Sequence, residues 1–241
     1  MDIHKPKPFH GWREFLKEYG IIVLGVLTAL ALEQAVVSIR EYGLAGEARR
    51  SIRAELAADL GLMETREAVE PCVTRRLDEA QALIGRSAET NAPIWIGHPP
   101  AFPMRDSQFR SVAQAGHASL FSIKEQAAYA RIYAYLNLYN EAENREQAAL
   151  ADLRTLEQKP PMTAEVAWRL RSALQQARTA RWMLEVTDSS AHRVAGELGV
   201  GVARGRLFKM QSICVPIHTS RADALRLVAQ GRPGNRAYDE P

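Results

Sequence analysis

Along this chain the spacing of apolar positions changes once, and abruptly. From Gly20 to Ile39 (GIIVLGVLTALALEQAVVSI) they are nearly continuous, with Glu33 the single charge. A run of that length, at about 1.5 Å per residue, matches the ~30 Å hydrocarbon core of a bilayer. It therefore predicts a transmembrane helix over residues 20–39, preceded by a short cytoplasmic N-terminus, residues 1–19. Trp12, Phe15 and Tyr19 before the run and Tyr42 after it suit the two membrane interfaces.

Beyond residue 40 the apolar residues fall back to steps of three and four, the spacing of one buried helix face. Ile52, Leu56, Leu60 and Met63 predict a helix from Gly46 to about Glu70, which can continue from the apolar run with Gly43 and Gly46 as a place to bend. Pro71 either interrupts it or opens the next helix, to about Gly85. Four prolines between Ser87 and Met104 predict a loop, 87–104, whose Ile94-Trp95-Ile96 folds back onto the domain. Asp106 or Ser107 caps a short helix ending near Gly116. Ser122-Ile123-Lys124-Glu125 is a capping box for a long helix that Pro160-Pro161 stops. Its stripe Tyr129, Ile132, Tyr133, Leu136, Tyr139 reads as core. Thr163 caps the next helix, carrying Trp168, Leu170, Leu174, Trp182 and Val186 to about Leu198, and Ser220 opens a last one ending at Gly231. Two long helices joined by a Pro-Pro turn predict antiparallel neighbours. The expected fold class is all-α: one transmembrane helix, then an antiparallel helical-bundle domain, 40–232, and a flexible tail, 233–241.

Two alternatives to a retained anchor stay open at this stage. Lys5, Lys7, Arg13 and Lys17 precede the run, and Ala29-Leu30-Ala31 has the small-x-small form of a cleavage site. Against a leader stand Asp2, Glu14 and Glu18, and the apolar residues that resume after Gln34. The uninterrupted stretch Gly20–Leu32 is also short enough for a buried core helix. Basic residues balance across the run, so charge fixes no orientation. A disulfide-permissive exterior for the domain favours the N-terminus inside.

Within the run, Gly25, Ala29 and Glu33 lie at i, i+4 and i+8 and share a face. Small residues let helices approach closely, and an intramembrane carboxyl faces protein or water more readily than lipid. The face predicts a homo-oligomer or docking to a larger membrane protein. The competing placement puts Glu33 near the headgroups, reached by tilt or snorkelling.

Charge modifies this picture little. The net +3 divides into +2 over residues 1–53, −4 over 54–159 and +5 over 160–241. An Arg-laced solvated helix face accounts for the basic third without a nucleic-acid partner. The two cysteines, Cys72 and Cys214, are candidates for a disulfide if the domain lies in an oxidising compartment, and otherwise two buried thiols. No metal-ligand spacing or cofactor motif stands out. Gly199-x-Gly201-x-x-x-Gly205 lacks the dinucleotide spacing, and Asp188, Ser189, Ser190 and His192 crowd one helix rather than assembling a triad. No metal, cofactor or enzymatic activity is expected.

The segment Tyr19–Gln34, followed by Arg49-Arg50-Ser51-Ile52-Arg53-Ala54-Glu55-Leu56, resembles the start of a family of uncharacterised single-pass bacterial membrane proteins. Phe109–Tyr139, with Gly116 after FRSVAQA, is similar to their middle portion. The resemblance covers about half the chain, and Glu33-Gln34 departs from the amides and aromatic those proteins carry. It implies a topology and brings no activity with it. The expectation is a bacterial inner-membrane protein, single-pass, with its soluble domain in the periplasm. It would act as a non-catalytic structural or accessory component in contact with the lipid bilayer. The alternative is a ligand-binding sensor module signalling through a partner, with Trp95, Tyr129 and Tyr133 lining its pocket.

Overall fold

Apolar periodicity on both sides of Gly43 and Gly46 is satisfied by one unbroken helix. In the computed structural model, which describes residues 11–85, 91–203 and 211–230, α1 runs Trp12–Glu67 through both glycines, so the second stretch continues from the apolar run. Among the described residues its first half packs on nothing: the apolar window is 0% buried. Burial begins at Ala45 and continues through Ala48, Ile52, Leu56, Leu60 and Met63. One helix therefore serves two environments, and the change of spacing in the sequence marks the border between them.

The other helices are α2, Glu70–Gly85; α3, Ser107–Gln114; α4, Ile123–Leu153; α5, Ala164–Glu197; and α6, Arg221–Gln230. No β-strand occurs among the described residues. Pro71 sits in the first turn of α2, where its missing N–H leaves no bond unmade. The Ser122 capping box forms in full, and the Thr163 hydroxyl accepts from Val166 N–H to start α5. α4 ends at Leu153, and a 3-10 turn over Arg154–Gln158 leads into Pro160-Pro161. The tail 233–241 and Gly205 lie outside the described residues, as do residues 1–10 and 86–90 of the N-terminus and loop.

Pairs between helices give the directions. Arg49 and Arg66 of α1 bond Glu125 and Glu146 of α4, so these two helices ascend together. Arg131 pairs with Glu197, and Arg145 lies against Met183, so α5 descends beside α4. α2 continues the upward course of α1 against α5, with Asp78 on Arg178.

Two apolar cores are stacked along this axis. The one nearer the apolar half of α1 gathers Ile52, Leu56 and Leu60 with Tyr129, Ile132 and Val194. The farther one gathers Val73 and Leu77 with Leu150, Leu153, Leu170 and Leu174. α5 buries chiefly alanines (Ala173, Ala177, Ala180, Ala191), which bring it close to α4. Its bulky Trp168 and Trp182, and Val186, face outward and are exposed.

Residues 91–106 descend alongside α4 without secondary structure; Trp95 N–H donates to Ile217 O, and side chains take up four other backbone N–H groups. Ile96 N–H donates to Glu157, Phe102 to Glu143, Met104 to Asn140 and Arg105 to Asp59. At the foot of this strap Asp106 occupies the N-cap of α3 but makes no side-chain cap bond. Glu55 of α1 does that work, accepting from Gln108 N–H at 3.0 Å and from the Tyr133 hydroxyl at 2.8 Å.

Candidate functional site

Two features could carry function: the bare half of α1 and a charged seam between the stacked cores. On α1, Gly25, Ala29 and Glu33 line up on one face, exposed along their whole length. A Cβ added at Gly25 would meet nothing within 4 Å, so the face is open to close approach by another helix. Trp12, Phe15 and Tyr19 stack in succession at one end of the apolar length, with centroids 5.6 and 6.1 Å apart. Tyr42 is exposed at the other end. The span is not a core helix of this chain.

The seam lies where α1 gives way to α2. Arg66, 2% exposed, donates through Nη2 to both oxygens of Glu146 at 2.7 and 2.6 Å, and Glu146 is fully buried. Its Nη1 reaches Glu70 at 3.3 Å, and Glu70 also pairs with Arg181 of α5. Beside this network a cleft of about 280 Å³ opens between α1, α4 and α5, bordered by Met63, Arg66, Tyr139, Leu184 and Asp188. Burial raises the Tyr139 hydroxyl far above its ordinary range, so it stays neutral. Asp188 Oδ2 lies 3.5 Å from His192 Nδ1, and this hydrogen bond is the main cause that lifts the imidazole to about 9. His192 is thus charged at neutral pH. It is held by a neighbour one turn away on its own helix, while Ser189 is exposed: a helix-face ion pair, without triad geometry.

The pocket expected from Trp95, Tyr129 and Tyr133 does not form. Trp95 packs with Val215 and Ala224 at the far end, its indole N–H donating to Ser212 O at 3.0 Å. Tyr129 and Tyr133 are buried in the near core with Phe109 and Phe121. The aromatic pattern was legible; that these rings fall into separate apolar clusters was not. The expected cysteines meet: Cys72 of α2 and Cys214 are joined in a disulfide. Among the described residues no group of His, Cys, Asp and Glu is arranged to hold a metal ion.

Sequence reasoning missed the seam, although a signal existed. Arg66 follows Met63 by three positions on the buried stripe, Glu146 lies seven beyond Tyr139, and Asp188 lies four beyond Leu184. Charges at core register positions mark buried ion pairs or polar sites.

One of the carboxylates beside the seam sets a pH dependence. Glu143, 4% exposed, accepts Phe102 N–H through both oxygens, at 3.0 and 3.1 Å. Burial pushes its carboxyl from 4.5 up to about 7, against the pull of that N–H and of Arg66. The folded state then binds the proton more tightly than the unfolded chain. Stability from this group is complete below about pH 4.5 and is lost as pH rises through 7, by at most about 3 kcal/mol. Glu143→Gln, permanently neutral, should lose that slope. Urea melts at pH 5 and pH 8 should show a smaller drop in the variant than in the wild type; equal drops would contradict the assignment. Compared with protein-family models, curated proteins and solved structures, the chain matches none.

Proposed function

We propose that this chain is a single-pass protein of the bacterial inner membrane whose periplasmic domain is an antiparallel helical bundle. It serves without catalysis as a structural or accessory component of a membrane complex or of its own oligomer. The observation that carries this reading is the uncovered apolar half of α1. A helix whose most apolar 18-residue window has mean hydropathy 2.1 and no burial needs lipid or another protein around it. Its continuation through Gly43 and Gly46 into the near core joins anchor and domain by one continuous helix, as suits a spacer or scaffold. The Cys72–Cys214 bond favours an oxidising compartment for the domain.

In this reading the Gly25, Ala29 and Glu33 face holds the partner helix, with the Glu33 carboxyl hydrogen-bonded across the contact. Glu33→Leu keeps the span apolar and removes that bond. Self-association in detergent should weaken by about three- to thirtyfold, the equivalent of an interhelical bond of about 0.6–2 kcal/mol. Cross-linking in membranes and mass measurement in detergent both report it. A variant that cross-links like the wild type would remove this face from the account. Release of the intact chain by alkaline carbonate would remove the anchor itself.

A further inference from the structure

With α1 as an anchor, the apolar run ends at Ile39 and the exposed ring of Tyr42 stands at the membrane interface. Each residue beyond rises about 1.5 Å, while the headgroup layer of one leaflet is about 5–8 Å deep. The first buried residues of α1, Ala45 and Ala48, therefore lie about 9–14 Å beyond the hydrocarbon. They share an apolar cluster with Phe121, against which Ala118 and Leu120 pack. The turn His117–Leu120 and the start of α4 are thus the foot of the bundle, within a side chain's reach of the headgroups.

α4 ascends with α1, so its first residue, Ile123, stands at the end that faces the membrane, and a helical Cβ tilts toward the helix N-terminus. Ile123 is 86% exposed, more than any apolar residue of the span among the described residues. A lone exposed apolar side chain is ordinary on a surface. This one is aimed at the apolar medium that the anchor enters. Lys124 beside it is exposed as well, with a stem long enough to bring its ammonium to lipid phosphate. At this level the exposed Arg40, Arg50 and Lys124 outnumber the exposed Glu41 and Glu47, while Arg49 is taken by Glu125.

We infer, on the anchored reading proposed above, that this foot rests on the phospholipid surface of the same bilayer. The Ile123 side chain enters the headgroup layer and Lys124 pairs with lipid phosphate. The bundle then has a second, peripheral contact with the membrane, which holds it upright over the leaflet.

Cys72 and Cys214 are joined to each other, so an introduced cysteine alone takes a thiol-directed fluorophore when no reductant is present. The full-length variants Leu24→Cys, Ser119→Cys and Gln175→Cys carry the label in the span, on the foot turn and on the exposed face of α5. Each is placed in vesicles of phosphatidylethanolamine and phosphatidylglycerol in which some lipids bear a nitroxide, on the headgroup or in mid-chain. The Leu24 label should lose emission to the mid-chain nitroxide. The Ser119 label should lose emission chiefly to the headgroup nitroxide, and the Gln175 label to neither. Ile123→Asp or Lys124→Glu, added to Ser119→Cys, should each lower the headgroup quenching, the first by more. A Leu24 label that responds to neither nitroxide would overturn the anchor and the foot together. A quenched Leu24 label beside a Ser119 label that behaves like the one at Gln175 would overturn the foot and leave the anchor standing. Headgroup quenching at Ser119 that neither Ile123→Asp nor Lys124→Glu changes would show that the tether alone brings the turn near, and would overturn the foot as well.

Discussion

Arg76→Met should destabilise the domain by about 3–5 kcal/mol, seen as a lower urea midpoint with an unchanged slope. Arg76 is 1% exposed and sits on α2, yet its guanidinium holds together segments that are far apart in sequence. Nη1 donates to the Trp95 and Ile96 carbonyls, Nη2 to the Val215 carbonyl, and Nε to Glu79 at 3.0 Å. Methionine fills the volume but leaves those carbonyls without their charged donor. Lysine should recover only part of the loss, since one ammonium cannot fork across carbonyls from two strands of chain. The neighbourhood admits little adjustment. Gly97 has φ +69°, and a Cβ there would lie 2.5 Å from Ser212 O, so the two segments touch backbone to backbone. The Cys72–Cys214 bond joins the same regions and closes a loop of more than a hundred residues; reduction should cost about 2–5 kcal/mol. Both devices hold the 211–217 segment, so Arg76→Met and reduction should be non-additive. A loss below about 1 kcal/mol for Arg76→Met would show that water or the disulfide replaces the guanidinium.

What the sequence disclosed follows from what local patterns can encode. The Ser122 box, the Thr163 cap, Pro71 and the Ile52-to-Met63 stripe are contained within single turns or single faces, and each appears where its chemistry places it. The bare apolar run was legible for the same reason. Contacts between distant segments were not. Glu55 caps a helix that begins 52 residues later, and Glu146 meets its arginine at a separation of 80. Side-chain size and burial part company on the fifth helix. On α5 the small alanines bury the face that meets α4, so the large Trp168 and Trp182 turn outward. The strap 91–106 reads as a proline-rich loop, but the carboxylates and the amide that hold it lie on α1, α4 and the turn after α4.

Glu146→Leu should destabilise by about 3–5 kcal/mol, because it strands the Arg66 charge in the seam with the partly exposed Glu70 as its remaining ion-pair partner among the described residues. The single substitution is costly for a reason that the double variant exposes. Arg66→Met with Glu146→Leu removes both charges and fills the space with apolar side chains, continuing the near core into the far one across Met63 and Ala149. Buried ion pairs replaced in this way are often neutral or stabilising, so the double variant should recover to within about 1 kcal/mol of the wild type. Denaturant melts of the two single variants and the double complete the cycle. If the pair exists only for stability, the double variant should behave as the wild type in every respect. A double variant as unstable as Glu146→Leu would show that the apolar replacements cannot pack between α1 and α4. The seam would then be what keeps the two cores in register.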